Sequence, residues 1–129
     1  MDALIKSMLD KKVWAVVGAT ENPDKFGSKI YKKLKRFGYE VYPVNPVYKE
    51  VDGDVCYPNL AELPVKVDCV DVVVNPEKAA MVLQEVIELG IENIWFQPGT
   101  FTPDIVDKSE QSGVNTVYLN CVLVELDQK

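Results

Sequence analysis

Short apolar runs rich in β-branched residues alternate along the chain with longer stretches whose apolar residues recur at helical spacing. Four runs are nearly continuous, as expected for parallel strands covered by helices on both faces, and span residues 13–17, 41–44, 69–74 and 91–96. A shorter run at 116–119 predicts a fifth strand. Pro43 cannot donate a hydrogen bond to a neighbouring strand, so it is expected near the end of its own strand.

Helical patterns fill the gaps between these strands. Each carries its apolar residues on one face and is followed by a glycine that predicts a helix stop; the patterns span residues 27–37, 77–89 and 103–112. Asn75 and Thr102 each precede a proline and an acid, which is typical of a capped helix start. The first twelve residues predict a small amphipathic helix that packs onto the body of the domain or forms a dimer contact.

The alternation of strands and helices predicts an α/β fold: a three-layer, Rossmann-like, doubly wound parallel sheet of about five strands with helices on both faces. The connection over residues 45–68 is longer, with turn signals at 52–53 and 58–59 and one short helical patch at 60–63. A length of 129 residues without repeats or a linker predicts a single domain over residues 1–129. Ligands of such sheets bind outside the carboxyl ends of the strands.

The segment from Gly18 to Ser28 follows the first strand and is the first candidate site. Backbone amides in a turn of small residues, together with the dipole of the following helix, attract an anion. Thr20 and Ser28 supply hydroxyls and Lys25 supplies a charge. The alternative is a tight turn whose glycines only permit the backbone shape. The segment contains neither the G-x-G-x-x-G fingerprint nor the Gly-Lys-Ser/Thr of a Walker loop.

The second strand ends at Asn45 and Pro46, with Lys49 a few residues further on, and no acid at the strand end. A dinucleotide-binding domain normally places an Asp or Glu there to hold the ribose hydroxyls. A cation suits a phosphorylated ribose, as in NADP or coenzyme A (CoA), better than it suits NAD. The alternative for Lys49 is a solvated loop lysine.

Composition narrows the functional classes. Twenty acidic and fourteen basic residues give a net charge of −6, so binding to nucleic acid or to an anionic membrane is not expected. The chain has no histidine. Mechanisms that need a histidine as a general base, as a metal ligand or as a phosphorylated intermediate are therefore excluded. The three cysteines form no C-x-x-C pair, so neither a disulfide framework nor a metal site is expected. Without a signal peptide or an apolar run of ~18 residues, a cytoplasmic location is expected.

Six segments occur in the order found in a known family and cover nearly the whole chain: residues 17–20, 38–46, 56–64, 67–68, 94–99 and 113–121. The most specific are Pro-Val-Asn-Pro at 43–46 and Trp-x-Gln-x-Gly at 95–99. The chain resembles the small stand-alone CoA-binding proteins, whose domain is similar to the N-terminal CoA-binding domain of the succinyl-CoA synthetase α subunit.

This resemblance implies that CoA or an acyl-CoA binds at the carboxyl edge of the sheet. The pyrophosphate would lie over the turn after the first strand, Lys49 would approach the ribose phosphate, and the pantetheine arm would pass the third strand end towards the crevice beyond the fourth. The inserted residues 21–25 make this turn longer than that of the synthetase. The implied cofactor-binding residues are Gly18, Ala19, Thr20, Lys25, Phe26, Gly27, Ser28, Asn45, Pro46, Lys49, Asn75, Pro76, Gln97 and Gly99.

The synthetase performs its phosphotransfer in a second domain with an active histidine, and this sequence offers neither. The resemblance therefore favours a CoA carrier, a sensor, or a CoA-binding subunit over an enzyme, with a homodimer or an enzyme subunit as the protein partner. No catalytic residues are assigned. Asp68 and Asp71 are interpreted as edge or cap residues, and the Trp95–Phe96 pair as core.

Cys121 follows the fifth predicted strand, where the carboxyl edge is expected. One hypothesis is a mixed disulfide with the CoA thiol; the alternative is a small buried apolar residue. Two other functions are compared with CoA binding. An NADP- or NAD-binding regulatory domain lacks its fingerprint and ribose acid here, and a flavodoxin- or receiver-like signalling module lacks the acidic cluster of a receiver.

Overall fold

The computed structural model describes residues 2–129. In chain order they form α1 (Asp2–Leu9), β1 (Val13–Val17), α2 (Phe26–Arg36), β2 (Glu40–Val44), β3 (Glu50–Val51), β4 (Asp54–Val55), a 3-10 turn (Leu60–Glu62), β5 (Cys69–Val72), α3 (Pro76–Leu89), β6 (Asn93–Phe96), α4 (Pro103–Gln111), β7 (Asn115–Val117) and α5 (Val122–Asp127).

Five of the strands form one parallel sheet in the order β2-β1-β5-β6-β7. From β1 the chain moves first to β2 on one side and then to β5 on the other, so the topological switch point lies between β1 and β5. The register pairs Val17 with both Val44 and Val72, and Val72 with Phe96. Four strands therefore end level with one another, and their outgoing loops meet at one edge. The predicted doubly wound sheet is confirmed.

Alternating side chains of the strands build two apolar layers. Trp14 and Val16 pack with α1, α2 and α5 on one face, whereas Ala15 and Val17 pack with α3 and α4 on the other. The Trp95–Phe96 pair is core, as predicted, with one ring in each layer. The predicted packing of the N-terminal helix on the domain is also observed, since its residues Ile5, Met8 and Leu9 are buried. None of the helices within residues 2–129 has the length and apolarity to cross a bilayer.

Several element boundaries differ from the predictions for local reasons. The run at 69–74 leaves the sheet after Val72 because its neighbour β1 has already turned away at Gly18. The run at 91–96 starts late because the Ile91 amide closes the end of α3 on the Val86 carbonyl, at 3.1 Å. The fifth strand is shorter than 116–119, and α5 follows it unpredicted. Pro43 lies one residue before the end of β2, an edge strand, as expected.

The long connection after β2 contains a small hairpin of β3 and β4. Asp52 and Gly53 form its two-residue turn with φ of 53° and 80°, as a type I′ turn requires. Lys35 on α2 holds both Asp52 and Asp54 by ion pairs of 3.0 and 2.6 Å. The hydrogen bonds that Lys35 and the Tyr31 hydroxyl donate to Asp54 lower the pKa of that carboxyl. The hairpin is thereby fixed against α2, which orders the loop that leads into it from β2.

Candidate functional site

The turn after β1 is packed against the start of α2 through two glycines. Gly18 has a φ of +103°, and a Cβ there would lie 2.4 Å from the Val73 carbonyl oxygen. A Cβ on Gly27 would lie 2.0 Å from the Gly18 carbonyl oxygen. Both distances are shorter than any real contact, so packing alone requires glycine at both positions. The close approach brings the first turn of α2 directly beside the ends of β1 and β5.

The start of α2 differs from the starts of α3 and α4, which follow β5 and β6 at this edge. The Asn75 side chain accepts a hydrogen bond from the Lys78 amide at 3.0 Å, and Thr102 does the same for Ile105 at 3.3 Å. The residue before α2 is Lys25, whose side chain makes no such bond. The Ser28 amide donates to the Lys25 carbonyl at 3.2 Å, whereas the amides of Phe26 and Gly27 have no acceptor among the described residues and so remain available as donors to an anion.

The loop after β2 is tied to the turn after β1. The Asn45 side-chain amide donates to the Ala19 carbonyl at 2.9 Å, and the hydroxyls of Thr20 and Tyr48 are hydrogen-bonded at 2.9 Å. Tyr48 was not among the predicted site residues. Asn45 also accepts from the Val47 amide at 2.9 Å, so both ends of its side chain have protein partners. The two loops thus form one wall of a shared cleft.

Between the two loops and the start of α2 lies a pocket of about 390 Å³, hereafter the turn pocket. It contains six of the predicted site residues. Lys25 is exposed at its mouth and takes part in no ion pair within the described part of the chain. The lining residues are Gly18, Thr20, Lys25, Phe26, Gly27, Asn45, Val47, Tyr48 and Val73.

A second pocket of about 410 Å³, hereafter the Gln97 pocket, adjoins the first. Phe26 and Val73 line both, so the two pockets meet at these side chains. Five predicted residues, Phe26, Asn75, Gln97, Gly99 and Cys121, line the second pocket, and the structure adds three apolar side chains and Thr100 to them. Its lining residues are Phe26, Val73, Val74, Asn75, Gln97, Pro98, Gly99, Thr100 and Cys121.

Five predicted residues line neither pocket. Ala19 is packed in the core and Ser28 is buried on the inner face of α2. Pro46 and Lys49 are exposed on the loop between β2 and β3, and Pro76 is the first residue of α3. Ala19 and Ser28 face the core while Gly18, Thr20 and Gly27 beside them line the turn pocket, so a prediction that takes the whole segment 18–28 includes residues of both kinds.

Gln97 connects three elements beneath the second pocket. Its side chain is 4% exposed. Its Nε2 donates to Asp71 Oδ1 at 2.6 Å, and its Oε1 accepts from the Val122 amide at 3.3 Å. The interpretation of Asp71 as an edge or cap residue was wrong, because Asp71 lies fully buried inside β5. Burial raises the pKa of Asp71 to about 7, opposed by the hydrogen bond from Gln97.

Asp68 has the capping role predicted for it, since its carboxylate accepts from the Val13 amide at 3.0 Å. Cys121 is half-buried, precedes α5 and lines the Gln97 pocket. The indole N–H of Trp95 donates to the carbonyl of Asn120 at 2.7 Å and so anchors the segment leading to Cys121. The other two cysteines are buried, and burial raises the pKa of the Cys69 thiol.

Comparison with known proteins identifies the domain. The sequence profile described as "CoA binding domain" matches residues 12–127. The chain belongs to the CoA-binding domain family. The resemblance inferred from the sequence segments is thereby confirmed, and the two adjoining pockets described above are those of a family member.

Relatives in this family differ in size. The chain is 32% identical over 121 residues to "Acetate–CoA ligase [ADP-forming] I" of Archaeoglobus fulgidus, which matches 86% of this chain but only 18% of the ligase. It is 29% identical to the uncharacterized protein YneT of Bacillus subtilis, covering 95% of this chain and 91% of that protein. A solved structure of a hypothetical protein from Pyrococcus horikoshii superposes with a TM-score of 0.93 at 33% identity, covering 99% of this chain and 91% of that one.

Proposed function

We propose that this chain binds CoA, free or acylated, along the turn pocket and the Gln97 pocket. The phosphorylated nucleotide occupies the turn pocket, and the pantetheine arm passes Phe26 and Val73 into the Gln97 pocket. The observation that carries the proposal is the junction itself. A pocket with amide donors and a lysine opens directly into one with a mostly apolar lining, which matches a ligand that is anionic at one end and largely uncharged at the other.

CoA carries several negative charges and the protein has a net charge of −6, so the two repel each other overall. Hydrogen-bond donors and positive charge at the binding site must overcome this repulsion. The first amides of α2 lack a side-chain cap, and Lys25 is exposed beside them. Charge-assisted hydrogen bonds contribute about 1.5–3 kcal/mol each. A few such bonds at the start of α2 therefore offset the unfavourable global field.

Lys25 and Lys49 have different parts in this proposal. Lys25 lines the turn pocket and contacts the pyrophosphate, whereas Lys49 is exposed outside both pockets. Lys49 therefore acts on the ribose phosphate from the rim, through solvent, where ion pairs contribute about 0–1 kcal/mol. The loop between β2 and β3 that carries Lys49 also supplies Tyr48, which borders the nucleotide.

The same geometry disfavours a dinucleotide. Holding the ribose hydroxyls of NAD requires an acceptor at the end of β2. The residue there is Asn45, and its side-chain amide already donates to Ala19 while its carbonyl accepts from Val47. An NAD-binding regulatory role thus lacks its main recognition group, and NADP is compared with CoA in the binding test below.

In the cell, the proposed role is to carry or sense CoA or an acyl-CoA, or to supply the CoA-binding part of an enzyme. The relation to an ADP-forming acetate–CoA ligase supports the role of a CoA-binding part of an enzyme, because the segment that matches this chain is only 18% of that ligase. The residues around the two pockets support binding, and the proposal assigns them no reaction.

A thermal-shift and calorimetry panel with CoA, acetyl-CoA, NADP, NAD and FMN tests the proposal. CoA or acetyl-CoA at 100 times its dissociation constant is expected to stabilise the fold by about 2.7 kcal/mol. NADP, NAD and FMN at the same concentrations are expected to have little effect. Stabilisation by NADP equal to that by CoA, or no response to either CoA or acetyl-CoA, would contradict the proposal.

A further inference from the structure

Asp71 is placed where stability alone does not account for it. It lies in the middle of the central strand β5, in register with Val16 on β1 and Trp95 on β6, and is 0% exposed. Its Oδ2 has no hydrogen-bond partner within residues 2–129. Burying an unpartnered carboxylate oxygen lowers stability, whereas a valine would fill a strand of this kind without that cost. The position of the carboxyl therefore suggests a task beyond folding.

Among residues 2–129, the side chain that hydrogen-bonds to Asp71 is that of Gln97, which lines the Gln97 pocket. An amide side chain can be turned either way, and its two ends have opposite hydrogen-bonding character. Asp71 accepts from Gln97 through Oδ1 whether its carboxyl is ionised or carries a proton on the unpartnered Oδ2, so it draws Nε2 inward at 2.6 Å. The carbonyl end of Gln97 is then directed to the Val122 amide, at 3.3 Å. Asp71 thus sets the orientation of the amide.

The consequence of this orientation reaches the pocket wall. Val122 is the first residue of α5, and Cys121 immediately before it lines the pocket opposite the ends of β5 and β6. Turning the Gln97 amide over would present an N–H to the Val122 N–H, and the contact between the loop after β6 and α5 would be lost. The wall is therefore held in place by a chain of two hydrogen bonds that begins at Asp71.

We infer that Asp71 is a positioning residue that orients Gln97 and thereby shapes the Gln97 pocket for the pantetheine arm of CoA. The inference rests on the proposed function, since it assigns this pocket to that arm. It predicts that Asp71 affects the part of the ligand in the Gln97 pocket and leaves the nucleotide in the turn pocket unaffected.

The test compares two ligands on four proteins by calorimetry. CoA is compared with adenosine 3′,5′-bisphosphate, which retains the phosphorylated nucleoside and lacks the pantetheine arm. The proteins are the wild type, Asp71→Val, Gln97→Leu and the double variant. Each single variant is expected to weaken CoA binding about five- to tenfold, the value of one hydrogen bond, while adenosine 3′,5′-bisphosphate binds as before. Because both residues act through one contact, the double variant is expected to lose no more than the weaker-binding single variant.

Asp71→Asn serves as the conservative variant. Its Oδ1 can accept the same bond from Gln97, so CoA affinity is expected to return to that of the wild type. Undiminished CoA binding by Asp71→Val, equal losses for both ligands, or additive losses in the double variant would overturn the inference. Failure of wild-type protein to bind CoA would instead overturn the proposed function.

If Asp71→Val does not fold, the inference is tested on the wild-type protein by NMR. The side-chain amide resonances of Gln97 are expected to shift when CoA is added and to stay in place with adenosine 3′,5′-bisphosphate. If CoA shifts the backbone amide resonances of α2 and leaves those of the Gln97 side chain unchanged, the arm does not reach Gln97 and the inference is overturned.

Discussion

The carbonyl oxygen of Gly18 occupies the space that a side chain on Gly27 would need, with only 2.0 Å between that oxygen and the position of a Cβ. This contact joins the turn after β1 to the first turn of α2. It brings the uncapped amides of α2 to the switch point of the sheet, between the ends of β1 and β5. The geometry of the site therefore requires a glycine, without a Cβ, at position 27.

Gly27→Ala is expected to destabilise the fold by about 1–3 kcal/mol, since overpacking forces α2 away from the turn. In a helix alanine is otherwise more favourable than glycine by about 1 kcal/mol. A loss of stability can therefore be attributed to the clash between the new methyl group and the Gly18 carbonyl oxygen. Urea unfolding measures it. Lys32→Ala, on the same helix, is the control and should stay near wild type. An unchanged or raised midpoint for Gly27→Ala would show that the turn has room to move.

Lys25→Ala is expected to weaken CoA binding by about 1–2 kcal/mol without altering stability, because it removes a charge from the mouth of the turn pocket. Lys49→Ala should have a smaller effect, since Lys49 lies outside both pockets. Lys12→Ala is the matched control: Lys12 is exposed just before β1, at the opposite edge of the sheet. If calorimetry gives all three variants the wild-type affinity, the phosphates do not lie at the start of α2.

Asp71 should make the wild-type protein less stable as pH rises. The pKa of its carboxyl is raised from the ordinary 3.8 to about 7. Between these values the unfolded chain has lost the proton that the folded protein retains, so rising pH favours unfolding. The contribution is fully present below pH 4 and lost above pH 7, and amounts to at most about 4 kcal/mol.

Asp71→Asn removes this titration while keeping the shape of the side chain. Its stability relative to wild type is therefore expected to increase from pH 5 to pH 8, measured by urea unfolding at both values. Subtracting the wild-type stability from that of the variant removes the pH dependence that other titrating groups give to both proteins. One of these groups is Asp54, whose lowered pKa affects stability in the acidic range. A difference that stays constant with pH would mean that the Asp71 carboxyl titrates normally.

Cys121 provides a chemical test of where the pantetheine arm ends. When CoA disulfide is added, the Cys121 thiolate is expected to attack one of its sulfurs, forming a mixed disulfide and releasing one CoA thiol. Intact-mass spectrometry should show one adduct that dithiothreitol removes and that Cys121→Ser prevents. Cys56 and Cys69 are buried and serve as internal controls. Absence of the adduct, or its persistence in Cys121→Ser, would show that the thiol lies elsewhere.

Features governed by neighbouring residues could be predicted from the sequence. Apolar runs indicated the strands of the main sheet, and the caps at Asn75 and Thr102 depend only on residues three positions away. The same holds for Gly90, which ends α3 in the left-handed conformation. The turn at Asp52–Gly53 was predicted as a turn, although the short strands on either side were not.

Features that depend on distant contacts could not be predicted. Tyr48 joins the site through Thr20, 28 residues away, and Asp71 meets Gln97 across 26 residues. An Asp inside an otherwise apolar run was a visible signal that the residue is buried and paired. The short helix α5 begins without a capping side chain and packs on α2, so its presence depends on tertiary contacts.

The hydrogen bond from the Trp95 indole to the Asn120 carbonyl connects a buried intrinsic fluorophore to the segment that leads to Cys121 in the Gln97 pocket. Any displacement of the segment before Cys121 alters the polarity around that ring and hence its emission. The other tryptophan, Trp14, is centred 6.2 Å from Trp95, close enough to exchange excitation with it. With Trp14 replaced by phenylalanine, the occupancy of the cleft becomes a label-free optical signal.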